Sequence, residues 1–460
     1  MKIIFYLLFF VGFGCIMQSR YNKKLSRRDG VGAMNVKKVI KILNEEIVPA
    51  QGCTEPIAIA YVGAKAVEVL GKFPTKLDIY VSGNMIKNVK SVNVPNGGGM
   101  VGIEVSAAMG VVAGDADAEL MVISNITPEQ LEDVKEFIKN NEINVIHEKT
   151  DVKLYARVVA YNGEESASVE IKHLHTNITK VEKNGEVLIN RACNDTNFTS
   201  TDEDRALLTI EGIYNFAKTI ELSEIEGIFK EVIECNTAIA KEGLTGKYGV
   251  NIGSMIRDNM GKGIYGNDQK NRSASFAAAG SDARMAGCPL PVMTTSGSGN
   301  QGMTASLPII QYCNDNDISY EETIRGLAFS HLSCIHIKSN VGRLSAYCGA
   351  ICASASVGGG LAFVMGEDLD VISDSITNTL GNVSGIICDG AKASCAMKIT
   401  SGIYAAFDSL YLSKAKRVLS DGEGIVGEDI EETIKNIGVL SQVGMNGTDE
   451  TILKIMTNKY

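Results

Sequence analysis

The stretch "LSAYCGAICASASVGGGLAFVM", Leu344 to Met365, carries no charged residue and is dominated by Gly, Ala, Ser and Cys. Read as a helix, its small side chains let neighbouring helices pack closely. Long helical patterns flank it on both sides: "ALLTIEGIYNFAKTI" and "IEGIFKEVIECNTAIAKEG" upstream, "ETIRGLAFSHLSCIHIKSNVG" directly before it, and "AMKITSGIYAAFDSLYLSKAKRVLS" after it. The second half of the chain is therefore expected to be a large all-helical body.

Working outward, the first half reads differently. "VKKVIKILNEEIVPA" has helical spacing from Val36, and "CTEPIAIAYVGAKAVEVLG" continues as a mostly apolar helix opened by Thr54, Glu55 and Pro56. From about Lys76 to Ile189 short strand-like runs alternate ("LDIYVSG", "AELMVISN", "INVIHE", "KLYARVVAYNG", "SASVEIKHLH", "TKVEKNGEVLI"), with a helix near Pro128 to Asn140. A polar linker around Asn194 to Asp204 follows. The expected class is α+β: an α+β domain over 34–200, then the all-helical domain over 201–460, preceded by an extension over 1–33. In that extension the apolar run of "MKIIFYLLFFVGFGC" is short of the roughly 20 residues that a membrane span needs but fits a signal-peptide core. Arg20, Lys23, Lys24, Arg27 and Arg28 follow it while only Lys2 precedes it, which opposes export. We read Met34 as the natural start, with no stable membrane partner and a cytoplasmic location.

A chain of 460 residues with 45% hydrophobic and 21% charged residues buries a sizeable core. Its net charge of -10, with no basic stripe in the body, argues against nucleic acid and for a small-molecule partner. Eleven cysteines at irregular spacing do not form the framework of a small secreted domain. Cys193, Cys235, Cys313 and Cys334 read as small core residues. Cys388 and Cys395 in "GIICDGAKASCAMKI" differ, because Asp389, Gly390 and Lys392 interrupt an apolar stretch and suggest a loop entering a helix. In one continuous helix the two would stand about 10.5 Å apart along the axis, too far for a simple zinc site, and a turn at Gly390 would shorten that gap. Cys348 and Cys352 offer a third thiol. Three thiols from separate elements suggest a metal or an iron-sulfur cluster more than a disulfide, and the five histidines (His147, His173, His175, His331, His336) lie away from them in sequence.

Two glycine-rich stretches, "VMTTSGSGNQGMTASLP" and "NVPNGGGMVGIEVSAAMG", read as loops at helix starts, suited to an anion or a carboxylate, or as capping turns. "AQGCTEP" sets Cys53 before a helix N-terminus, where the dipole favours thiolate and makes Cys53 a candidate base or nucleophile.

Five motifs, "EEIVPAQGCTEPIAIAY", "NVPNGGGMVGIEVSAAMG", "SGSGNQG", "YCGAICASASVGGG" and "ICDGAKASCAMK", in this order from about Val36 to the C-terminus, together resemble the L-cysteine desulfidase family of iron-sulfur lyases, related to the catalytic α chain of iron-sulfur L-serine dehydratases. The resemblance implies a [4Fe-4S] cluster acting as Lewis acid in a β-elimination that turns L-cysteine, or L-serine in the related enzymes, into pyruvate and ammonia, with sulfide released from cysteine. It implies Cys348, Cys388 and Cys395 as cluster ligands, with Cys352 in reserve, and Cys53 as proton acceptor. Three thiolates for four irons would leave one iron open for substrate. Ser296, Ser298, Asn300 and Gln301 are candidates to hold the amino acid, on loop composition. The second cysteine of "CDGAKASC" lies closer to the first than in the serine dehydratases, and a proline is missing before it. Two other classes compete: a pyridoxal-phosphate lyase, for which Lys262 and Lys270 are weak Schiff-base candidates, and a non-catalytic cluster sensor. The small-residue helices also suggest a homo-oligomer.

Overall fold

The computed structural model describes residues 34–193 and 205–457; the readings made above for residues 1–33 lie outside them. The chain opens with helix α1 (Val36–Glu46), strand β1 (Pro49–Gln51) and helix α2 (Thr54–Leu70), then β2 (Lys76–Val81), the short α3 (Gly83–Val89), α4 (Ile103–Ala113) and α5 (Pro128–Asn140). Five strands follow: β3 (Glu142–His147), β4 (Tyr155–Asn162), β5 (Glu165–Lys172), β6 (Ile178–Lys183) and β7 (Glu186–Asn190). They form one sheet in the order β3-β2-β4-β5-β6-β7, with β2 and β3 parallel and the other pairs antiparallel. Alternation in β4 turns Ala156, Val158 and Ala160 into the core, the period-2 pattern expected of a strand covered on one face.

Helix α2 lies between this sheet and α4 and is buried on nearly all sides, which is why its sequence shows no polar face. Ile57, Ile59 and Val62 are fully buried, each contributing about 1.5–3 kcal/mol over an exposed position. The helices cross so closely that a Cβ on Gly110 would fall 1.9 Å from the Ala60 carbonyl oxygen. Only glycine fits there. A capping box between Thr127 and Gln130, with Pro128 in the first turn, starts α5 as the sequence indicates. "AELMVISN" does not form the expected strand: the Asp115 carboxylate accepts from the Asp117 amide and nucleates a 3-10 turn over Ala116–Met121.

The helical body holds α6 (Ile210–Thr219), α7 (Glu226–Gly243), α8 (Ile252–Asn259), α9 (Gln269–Met285), the short strand β8 (Pro291–Met293), α10 (Gly299–Asp315), α11 (Tyr320–Val341), α12 (Gly349–Val364), α13 (Leu369–Val383), α14 (Cys395–Lys414), α15 (Ile430–Val439) and α16 (Asn446–Thr457). The small-residue helix α12 sits at its centre, packed against α10, α11, α13 and α14. Three connections tie the sheet segment to this body. Val39, Ile42 and Leu43 of α1, spaced i, i+3, i+4, join the apolar core of the helical body rather than that of the sheet, and β1 pairs antiparallel with β8. At the other end of the chain, α16 returns to pack on α3.

Candidate active site

Backbone pairing builds the site. The β1–β8 register sets Pro49 opposite Met293 and Gln51 opposite Pro291, so "AQGCTEP" and "TTSGSGNQG" leave the pair side by side. The Thr54 hydroxyl then donates to the Gly297 carbonyl at 2.9 Å, locking the start of α2 onto the serine-glycine loop. A second pairing joins Tyr347 to Ile387: the Cys348 amide donates to the Ile386 carbonyl at 3.3 Å and the Cys388 amide to the Ala346 carbonyl at 2.7 Å. Cys348 and Cys388 are thereby neighbours across two strands of chain. Gly390, at φ 100, then turns the backbone sharply, and a Cβ there would meet the Lys87 carbonyl oxygen at 2.5 Å. That turn brings Cys395 back as the first residue of α14.

The result is a cavity of about 100 Å3 bordered by Cys53, Cys348, Cys388 and Cys395, with Ser298, Asn300 and Gln301 on the same wall system. Ser296 is buried in the turn beside them, at φ 51, and is not among the lining residues. Cys352 is fully buried in the helical core and does not line the cavity either. Cys313 and Cys334 are buried core residues, whereas Cys193 and Cys235 are only partly covered. Cys53, Cys348, Cys352, Cys388 and Cys395 are all free thiols. The "NVPNGGG" loop lies outside this cavity, where Gly97, Gly98 and Gly99 border a separate groove beside the start of α5. Its Asn96 side-chain amide donates to Gln51 Oε1 at 3.1 Å and so braces β1.

Three of the four thiols stand at helix N-termini: Cys53 and Cys348 are the N-cap residues of α2 and α12, and Cys395 opens α14. The dipoles there favour an anionic group. Burial opposes it. Desolvation pushes the Cys348 thiol far up, with Cys388 and Cys395 adding to the rise, and burial likewise raises Cys395. Three thiols, Cys348 buried and Cys388 and Cys395 half-buried, whose thiolates would repel one another are a set that a cation relieves, releasing protons as it binds. Among the described residues no three His, Cys, Asp or Glu side chains are spaced for a single metal ion. The thiols surround a cavity instead.

Cys53 departs from expectation in its ionisation. Burial pushes its thiol well above the ordinary range and the Glu55 carboxylate adds to this, so the helix dipole does not prevail. The thiol donates to Glu55 Oε2 at 3.0 Å, and Asn88 Nδ2 donates to Glu55 Oε1 at 3.0 Å. Burial works against the charge of Glu55, but His175, the Cys53 hydrogen bond and Arg284 outweigh it and hold the carboxyl below its usual range. Cys53 and Glu55 thus form a buried thiol-carboxylate pair facing the thiols of the cavity.

Sequence reasoning passed over several residues of this site. Glu55 read only as a helix-start residue, although its place two positions after Cys53 was a usable signal. Arg284, Lys338, Arg343 and Asn88 line the cavity from segments with no motif of their own. Arg343 Nη2 donates to the buried Glu46 carboxylate at 2.7 Å, which Arg205 also grips at 2.6 Å. His175, distant in sequence, is buried close to Gly297, where desolvation drives its ring down to about 4 and keeps it neutral.

The sheet segment and the helical body together enclose a thiol-lined cavity with a thiol-carboxylate pair on its wall, and comparison with known proteins gives this arrangement a family. Residues 117–454 match the family model described as "Serine dehydratase alpha chain". The chain belongs to that family, a family of iron-sulfur enzymes that points to a serine-dehydratase-like lyase. It is 60% identical over 422 residues to a UPF0597 protein of Fusobacterium nucleatum, covering 92% of this chain and 99% of the relative. A UPF0597 protein of Lachnoclostridium phytofermentans is 45% identical over 92% of this chain and 100% of its own length, and one of Porphyromonas gingivalis is 38% identical over 92% and 98%. No helix among the described residues is long and apolar enough to cross a membrane.

Proposed function

We propose that this chain is a β-eliminating lyase that converts L-cysteine to pyruvate, ammonia and sulfide, with a [4Fe-4S] cluster held by Cys348, Cys388 and Cys395. The observation that carries the reading is the convergence of these three thiols with Cys53 on one cavity, in a chain of an iron-sulfur lyase family. Donor chemistry supports the fit: soft thiol ligands suit iron-sulfur, and all three line the same cavity. When bound, the cluster would supply Lewis-acid polarisation of the leaving group.

The chain's own residues supply the rest. Cys53 Sγ removes the α-proton of the amino acid as its own proton passes to Glu55, to which it is already hydrogen-bonded. With Cys53 raised and Glu55 held low, the proton rests on sulfur, and its passage to Glu55 has to be drawn by the uptake of the α-proton in the same step. Asn88 holds the Glu55 carboxylate in place. Ser298, Asn300 and Gln301, projecting from the start of α10, orient the polar groups of the substrate. Loss of the α-proton and the β-thiol gives an enamine that water hydrolyses to pyruvate and ammonia.

A second reading, elimination of water from L-serine by the same residues, is favoured by the description of the matching family model. The test is anaerobic purification followed by iron and sulfide analysis and turnover of L-cysteine beside L-serine. About four irons per chain, with sulfide released from cysteine and abolished in Cys348→Ala, Cys388→Ala or Cys395→Ala, supports the proposal. An iron-free protein that still eliminates sinks the cluster, and turnover of serine alone selects the second reading.

A further inference from the structure

Arg284 ends α9 and is 3% exposed, yet its guanidinium makes no hydrogen bond and no ion pair with any described residue, and its Nε is buried without a partner. A desolvated cation with five donors unused is costly unless an anion arrives to meet it. The other two cations that line the cavity are engaged: Arg343 donates to Glu46, and Lys338 Nζ to Ser345 Oγ at 3.4 Å. Lys338 has only a neutral hydroxyl as partner, and of the three cations Arg284 is the one that makes neither a hydrogen bond nor an ion pair with a described residue. Its field reaches Cys53, Glu55 and Cys395, so it sits at the reacting end of the cavity. Gly299 packs against Nε, where a Cβ would fall 2.5 Å away, so the side chain's place in this wall requires glycine there. Close by in the same lining, Asn300 Oδ1 is a buried acceptor without a donor.

We propose that Arg284 is the receptor for the α-carboxylate of the amino-acid substrate, a specificity-determining residue that selects a free carboxylate. This rests on the lyase reading above. A planar guanidinium matches a carboxylate by two parallel hydrogen bonds, which an ammonium group cannot reproduce. The unpaired state of Asn300 Oδ1 complements it, because an amino-acid zwitterion also brings donors.

The experiment compares wild type, Arg284→Met and Arg284→Lys as anaerobically prepared holoenzymes. KM for L-cysteine rises on the order of 100-fold in Arg284→Met, and less in Arg284→Lys, while iron per chain is unchanged. L-Alanine, which has no leaving group, inhibits wild type and fails to inhibit Arg284→Met, whereas L-alaninamide, lacking the carboxylate, distinguishes the two poorly. Ligand-free Arg284→Met melts close to wild type, because no hydrogen bond or ion pair is lost and only the field of Arg284 on Glu55 is removed; an arginine that holds the fold together would lower the midpoint. Unchanged KM and unchanged L-alanine inhibition overturn the proposal, as does loss of iron in the variant, which makes Arg284 the counter-charge of the cluster. If no amino acid is turned over, the lyase reading fails by itself. An L-alanine-induced rise in the wild-type melting midpoint, lost in Arg284→Met, then still supports the receptor, and no rise in wild type overturns it.

Discussion

Asp449→Ala should be among the most destabilising single changes outside the apolar cores, and it should loosen the Cys388 loop. Asp449 lies on α16, and its carboxylate meets Lys87 Nζ of α3 at 2.6 Å. The Lys87 side chain is 1% exposed and donates also to the Cys388 carbonyl at 3.1 Å. Despite burial, Lys87 is held above its ordinary pKa by Cys388 and Asp449, so it stays charged. Removing Asp449 leaves a buried ammonium without its counter-charge, a loss of about 3–5 kcal/mol. Lys87→Met is milder, at about 1–3 kcal/mol, because Asp449 keeps Lys153 at 3.8 Å. The double variant Lys87→Met/Asp449→Leu removes both charges and should recover to within about 1 kcal/mol of wild type, a coupling that a double-mutant cycle reads directly. The chain has no tryptophan, so urea unfolding is followed by circular dichroism, with hydrogen exchange on α3 and α16 to resolve the local opening. Thiol reactivity of Cys388 in cluster-free protein reports the loop and should rise in Asp449→Ala. An Asp449→Ala protein within about 0.5 kcal/mol of wild type, or a double variant no better than the single, would refute the reasoning.

Three further outcomes follow from other parts of the structure. Glu55→Gln leaves iron content unchanged and lowers kcat by about 10²–10⁴-fold, since the amide cannot take the Cys53 proton; undiminished kcat removes Glu55 from the proposed step. His331, fully buried with Nδ1 at 2.7 Å from Thr295 Oγ1, is driven by burial down to about 3, so the unfolded chain takes up a proton that the folded chain refuses. Stability is therefore lost as pH falls from about 6.5 toward 3, by about 2–3 kcal/mol from this group at pH 4.5, and His331→Gln should flatten that acid slope in urea titrations. Gly110→Ala forces a Cβ against the Ala60 carbonyl and should cost about 1–3 kcal/mol, measurable by thermal unfolding, whereas the same change at Gly227, which has open space around it, should cost nothing measurable.

How far the fold was legible in the sequence depended on the range of the interactions that decide each element. The helix opening at Pro128 and the small-residue run of α12 are settled by neighbours in the chain, and they read correctly, whereas "TKVEKNGEVLI", read as one strand, is two strands that turn at Asn184 and Gly185. "AELMVISN" also departs from its reading, because one side-chain oxygen, Asp115 Oδ1, redirects the backbone ahead of the apolar residues. The pairing of β1 with β8 joins residues about 240 positions apart, and three-residue strands carry no periodicity to announce them.

The same distinction governs the site. The cysteines were conspicuous because each breaks a local pattern: a charged turn inside an apolar stretch, or a thiol at a helix start. The residues that set their electrostatics break none. Arg284 closes an ordinary helix with the sequence "SDARMAG", and nothing local tells a solvated arginine from one buried without a partner. Cys53 shows the reverse error. Its sequence context announces a helix dipole, which lowers a thiol pKa, while burial of Cys53, with Gly52 packed under Pro95 and the Glu55 carboxylate beside the thiol, supplies a larger opposing effect that only the tertiary structure contains. A buried thiol hydrogen-bonded to a carboxylate is therefore poised to lose its proton only when something in the cavity draws it, and the four-thiol wall with one unmatched arginine is where such a demand would arise.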